Sequence, residues 1–247
     1  MPKSLANVKA VFFDLDQTLV DWRGYKESAI IASASAMRKA GLSLEEEKIR
    51  KMIEEIYDEK GWEYQRVFDD LLRKLEFKPT TQIYNKIKAA GVVAYREMKN
   101  KYLKPYPDIP LALEELKKMG YSLGLISDAP PFQGWSRLYE LKLMDYFKED
   151  HIYIGKAIKN SKKIFEDIMK GHNYAPDEIA MVGDNPQRDV KPANEAGVVS
   201  VLIKYGQVFP INPQDPLQNP DYFLESIWEF VELLREPRGL KKARFLF

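Results

Sequence analysis

A chain of 247 residues is long enough to bury a sizeable core, as one large domain or two modest ones. With 45% hydrophobic and 30% charged residues, the composition excludes a disordered or fibrous protein. Thirty-eight basic against thirty-seven acidic side chains leave a formal charge of +1, so no global field of one sign points to nucleic acid or to an anionic membrane.

The first element is a short apolar run, residues 8–13, that reads as a buried strand ending at Asp14 and Asp16. Residues 26–102 then show helical spacing and no convincing strand. Ile49, Met52, Ile53 and Ile56 recur on one face, as do Val67, Phe68, Leu71, Leu72 and Leu75, with breaks at Gly41, Gly61 and Pro79-Thr80. Trp62, Tyr64 and Phe68 read as the core of this segment. Pro105, Pro107 and Pro110 mark a return linker. Helix-like segments at 109–119, 161–170 and 192–196 alternate with apolar runs at 121–126, 178–182 and 198–203. Strand and helix in alternation predict a parallel sheet covered on both faces, an α/β core. The expected organisation is a core of residues 1–20 and 106–247, with a helical insertion over 21–105. A Pro-rich loop follows residue 204, one amphipathic helix spans Tyr222 to Leu234, and Arg238 to Phe247 form a basic and aromatic tail whose Lys241, Lys242 and Arg244 face solvent.

No apolar run approaches the roughly 18 residues of a membrane span, and the N-terminus lacks the regions of a signal peptide, so the chain is expected to be cytoplasmic. The absence of Cys removes disulfides, thiolate metal sites and cysteine nucleophiles. The two histidines, His151 and His172, lie far apart in sequence, are too few for a histidine-rich metal site, and read as surface or structural side chains.

In an open parallel sheet, ligands gather beyond the carboxyl ends of the strands where strand order reverses. Asp14, Ser127 and Asp184 each follow an apolar run immediately, so the sheet is expected to bring them to one rim. Acidic groups from two strand ends suit a hard, oxygen-seeking cation; Mg²⁺ is the usual one where phosphate is handled, and Zn²⁺ is disfavoured. Each residue also has a structural alternative: Asp16 as a turn acceptor, Thr18 as a helix cap, Ser127-Asp128 as a helix N-terminus before Pro130-Pro131.

Asp14-Leu15-Asp16-Gln17-Thr18 resembles motif I of the haloacid dehalogenase (HAD) superfamily, DxDxT. Ser127 stands where its motif II Ser or Thr ends the second strand, and Gly183-Asp184-Asn185-Pro186-Gln187-Arg188-Asp189 resembles motif IV, GDxxxxD. The resemblance covers residues 8–204 in order and spacing, and implies a Rossmann-like parallel sheet core with a helical cap of the C1 type inserted after the first strand. It also implies roles. Asp14 is the nucleophile that forms an aspartyl-phosphate, and Asp16 the general acid and base. Thr18, Ser127 and Asp128 bind substrate. Asp14, Asp16 through its backbone carbonyl, and Asp184 hold Mg²⁺, while Asp189 orients waters or the neighbouring basic residue. Motif III departs from its usual KPDPxIF form: Lys159 aligns if Ile164-Phe165 is the anchor, and Lys156 if Gly155-Lys156 is. The aligned lysine neutralises Asp14 and the developing phosphoryl charge.

An acid two residues after the nucleophile is needed to protonate an alkoxide, so Asp16 favours phosphate monoester hydrolysis over C–halogen cleavage. A phosphomutase would carry the same pair. A non-catalytic phosphate-binding module or a receiver-like phosphoacceptor domain fits less well, the first because it has no need of both acids, the second because it has no helical insertion. The expected partner is a small phosphorylated metabolite, acted on by a monomer or homodimer with no nucleic acid or membrane. Trp22, Arg23 and Tyr25 read equally as the lining of an entry or as a packed hinge.

Overall fold

The structure is a computed structural model in which residues 2–204 and 213–235 are described. Part of the Pro-rich stretch and the whole tail from Arg238, including Lys241, Lys242 and Arg244, lie outside the described residues. The chain divides into two compact units, Met1–Asp21 with Pro105–Phe247, and Trp22–Lys104.

The first unit is built on a six-stranded, wholly parallel sheet: β1 (Ala10–Phe13), β2 (Ser122–Ser127), β3 (Ile152–Ile154), β4 (Ile179–Gly183), β5 (Val199–Ile203) and β6 (Tyr222–Leu224), in the order β3-β2-β1-β4-β5-β6. Every residue of β1, β4 and β5 is buried, as a sheet covered on both faces requires. The order runs outward in opposite directions from β1 and β4, so their carboxyl ends flank the switch point. Phe13 stands opposite both Leu125 and Val182, which places Asp14 one step beyond the register of β2 and β4.

In the second unit four helices, α1 (Trp22–Lys39), α2 (Glu46–Lys60), α3 (Val67–Lys74) and α4 (Gln82–Tyr102), surround one apolar cluster. Ile49, Ile53 and Ile56 of α2 and Phe68, Leu71 and Leu72 of α3 are buried in it, and Trp62 and Tyr64 pack against it. Gly91 lets α4 approach α1: a Cβ there would lie 2.9 Å from the Met37 side chain, and Ser33 Oγ donates to Gly91 O at 3.0 Å. Lys26 is buried, its ammonium 4.4 Å from the centre of the Tyr57 ring and 5.3 Å from that of Tyr95, a cation–π setting for its charge. Trp22 meets Tyr25 edge-on and donates to Glu63, while Arg23 pairs with Glu27 along α1.

The chain continues through α5 (Ile109–Lys118), α6 (Pro131–Glu140), α7 (Lys163–His172), the short α8 (Lys191–Glu195) and α9 (Ile227–Arg235). Two expectations need correction. β3 was not foreseen, because three residues are too few to display a period. The segment from Tyr222 is not one helix: Tyr222–Leu224 pairs with β5 as an edge strand, and α9 starts at Ile227. Ser226 Oγ accepts from Glu229 N–H at 3.3 Å, and this Ser-x-x-Glu spacing was the available signal for a later helix start. No described helix is long and apolar enough to cross a membrane.

Candidate active site

The loop after β1 is fixed by burial. Leu15, Leu19 and Val20 are fully covered, Gln17 takes the left-handed conformation (φ 66°), and its N–H donates to Val20 O at 2.8 Å. This tight turn leaves Asp14 at the rim, its own N–H donating to Val182 O at 2.9 Å across to β4.

Lys159 arrives on a short helical turn after β3. Its Nζ lies 2.5 Å from Asp14 Oδ1 and 2.6 Å from Asp189 Oδ1, with all three side chains buried. Lys156 is exposed, so the lysine that reaches Asp14 is Lys159. Thr18 Oγ1 donates to Asp14 Oδ2 at 3.3 Å. Asp184 follows β4, and carboxylate oxygens of Asp14, Asp184 and Asp189 all fall within 4.8 Å of one another. Gly183 makes room for this group: a Cβ there would lie 2.2 Å from Asp189 Oδ2, which accepts from Asn185 N–H at 2.9 Å.

Asp16 has a partner on another element. Its carboxylate takes a 2.7 Å ion pair from Arg137 Nη1 on α6, and Arg137 is itself buried. Asp189 joins Asp14 and Asp184 in a group of side chains able to share a cation. Ser127 is buried at the end of β2, and its Oγ accepts from Ala129 N–H at 3.2 Å. The Asp128 carboxylate accepts from Lys159 N–H at 3.0 Å and from Arg188 Nε at 2.8 Å, so it positions the lysine's backbone.

Charge within the site is unbalanced. Burial pushes the Asp14 carboxyl up to about 7 against the pull of Lys159, with the Asp189 and Asp16 carboxylates adding to the rise. Asp184 is raised well above the carboxylate range by burial, then by Asp189 and Asp14. Burial disfavours a charged Lys159, but Asp14 and Asp189 outweigh it and hold the ammonium above its usual range. Three buried acids facing one lysine are the electrostatic setting of a cation site, and the all-oxygen donors fit a hard divalent ion.

Arg137, Gly183 and Arg188 were not singled out as site residues in the sequence. Arg137 is an unremarkable basic residue in an amphipathic helix, 121 positions from its partner, and no spacing rule reaches that far. Gly183 had a signal in its place before Asp184, although its reason, space for the Asp189 side chain, is tertiary.

A family model for haloacid dehalogenase-like hydrolases matches residues 11–203. The chain is 34% identical over 234 residues to a glyceraldehyde 3-phosphate phosphatase of Methanopyrus kandleri, covering 93% of this chain and 98% of that one. It is 32% identical over 240 residues to the enzyme of the same name from Pyrococcus furiosus, covering 96% and 98%. The fold is similar to that of a HAD phosphatase from Thermococcus onnurineus, with a TM-score of 0.61 at 23% identity over 94% of this chain and all of that one. Motif order, rim geometry and full-length similarity agree: the chain is a hydrolase and belongs to the haloacid dehalogenase-like family.

Proposed function

We propose that the protein is a Mg²⁺-dependent phosphatase that hydrolyses a small phosphate monoester through an aspartyl-phosphate on Asp14. One observation carries this reading: the Asp14 carboxylate is buried at the switch point between Lys159, Thr18 and two further acids, with a second carboxylate, Asp16, held two residues on by Arg137. Asp14, Asp184 and the backbone carbonyl of Asp16 would hold the Mg²⁺, with Asp189 beside them; when bound it supplies neutralising charge to the phosphoryl oxygens.

An Asp14 oxygen attacks phosphorus, the ester P–O bond breaks, and the leaving alkoxide takes the proton of Asp16, which enters the cycle in its acid form rather than as the ion pair with Arg137. Asp16, now ionised, removes a proton from water; the water oxygen attacks phosphorus, and the P–O bond to Asp14 breaks to release phosphate. Lys159 keeps Asp14 oriented and offsets charge that grows on the phosphoryl group. The names of the two relatives point to glyceraldehyde 3-phosphate as the substrate. The enzyme acts in the cytoplasm on a small phosphorylated metabolite, as a monomer or homodimer.

Phosphate release from a panel of phosphorylated metabolites that includes glyceraldehyde 3-phosphate, with Mg²⁺ and with chelator, tests this. Turnover is expected only with Mg²⁺, to be abolished in Asp14→Asn, and to have its highest kcat/KM on glyceraldehyde 3-phosphate. An Asp14→Asn variant as fast as wild type would remove the nucleophile assignment, and a clear preference for another ester would remove the substrate.

A further inference from the structure

Away from the active site, the fold brings together the two histidines that the sequence separates. His151 ends the turn before β3 and His172 is the last residue of α7, yet their ring centres lie 4.0 Å apart. Asn173 takes the left-handed conformation (φ 56°) just after α7, which returns the chain so that Tyr174 reaches His151.

The Asp150 carboxylate reaches the Nδ1 edge of both rings. Its Oδ1 is 2.7 Å from His151 Nδ1 and its Oδ2 is 3.9 Å from His172 Nδ1. A tetrahedral ion with bonds of about 2.0–2.1 Å sets neighbouring donors about 3.3 Å apart, between these two values. The far nitrogens are also occupied: His151 Nε2 lies 3.2 Å from Tyr174 Oη, and His172 Nε2 lies 2.8 Å from Tyr153 Oη. Without a metal, His151 Nδ1–H donates to Asp150 Oδ1; a cation takes the place of that proton when each Nε2–H donates to its phenol oxygen. That is the outer support a ligating histidine ordinarily has.

We infer that Asp150, His151 and His172 form a second metal site, distinct from the acidic rim, that binds Zn²⁺ with three protein ligands. Two imidazole nitrogens and one carboxylate suit this borderline-soft ion and suit Mg²⁺ poorly. Asp150 is exposed and gives the ion a path of entry.

The site has a structural consequence for the enzyme. The chain between His151 and His172 carries Lys159, so an ion held by both ends closes the segment that presents the active-site lysine. His151 also stacks on Phe12 at 5.7 Å, two residues before Asp14.

The test is a Zn²⁺ titration of the full chain in excess Mg²⁺, repeated with Co²⁺ to read the visible absorption of a tetrahedral centre. One ion per chain is expected, retained in Asp184→Asn, weakened at least tenfold in His172→Gln and in the exposed Asp150→Asn, and weakened about ten- to a hundredfold in Tyr153→Phe. Affinity unchanged in both Asp150→Asn and His172→Gln, or lost only in Asp184→Asn, would overturn the site. So would the absence of any bound Zn²⁺ in wild type. Because the Zn²⁺ readout does not depend on turnover, its failure leaves the phosphatase reading standing.

Discussion

Arg137 Nη1 lies 2.7 Å from Asp16 Oδ2, a buried arginine on α6 holding the carboxylate two residues after the nucleophile position. The pair fixes where the proposed acid and base points. Replacing Arg137 with Met keeps the stem's volume and removes the fork. The expected result is a kcat/KM reduced about ten- to a hundredfold, equivalent to about 1.4–2.7 kcal/mol of transition-state stabilisation. Steady-state kinetics checks it, with an unchanged KM and partial rescue by Arg137→Lys. Full activity in Arg137→Met would show that Asp16 needs no such partner.

Asp16→Asn separates leaving groups. An alkyl phosphate needs a proton on its departing oxygen and a nitrophenyl phosphate does not, so the loss should be about a hundredfold or more on the first and clearly smaller on the second. Equal losses on both would remove the general-acid role.

Lys159 is bound by two carboxylates at 2.5 and 2.6 Å, and all three groups are buried. Lys159→Met leaves two buried acids without their cation and should cost about 3–5 kcal/mol of stability in the metal-free protein, read by denaturant unfolding. Added Mg²⁺ should recover part of this, because it supplies positive charge to the same acids. A variant as stable as wild type in chelator would count against the buried network.

Gly183→Ala sets a methyl where the Asp189 side chain lies, 2.2 Å from Oδ2. Overpacking of this kind costs about 1–3 kcal/mol. Asp189 must shift away from Lys159 and Asn185, so turnover should fall with the melting temperature. An active, equally stable Gly183→Ala protein would show that Asp189 has freedom to move.

In the helical unit, hydrogen bonds from Lys60 at 2.6 Å and Tyr64 at 2.6 Å hold the Asp70 carboxyl below the ordinary range. A depressed folded-state value gives stability that is present above the unfolded value of about 3.9 and lost as pH falls through the folded one. Asp70→Asn should therefore melt at a lower temperature than wild type at neutral pH, with the difference shrinking below about pH 4. A difference that stays constant or grows in acid would contradict the sign.

Much of the site was legible in the linear chain, because its chemistry sits at the ends of apolar runs. Asp14, Ser127 and Asp184 each close a strand in sequence, and a parallel sheet brings strand ends to one edge whatever the details of packing. The helical unit was equally visible, since a 3.6-residue period marks a buried face within a single helix, as Ile49, Ile53 and Ile56 do. Short edge strands fared worse: β3 and β6 have three residues each, and their pairing depends on a neighbour rather than on a pattern.

By itself, then, the sequence determined the α/β core, the inserted helices and the order of the motif acids, all consequences of local periodicity and of chain order along a sheet. Only the tertiary structure decided which lysine meets Asp14, that Arg137 holds Asp16, that Asp128 serves Lys159 and Arg188, and that His151 and His172 share a carboxylate. Each of these is a contact between side chains of separate elements, selected by burial and charge in three dimensions, for which neighbouring residues carry no signal.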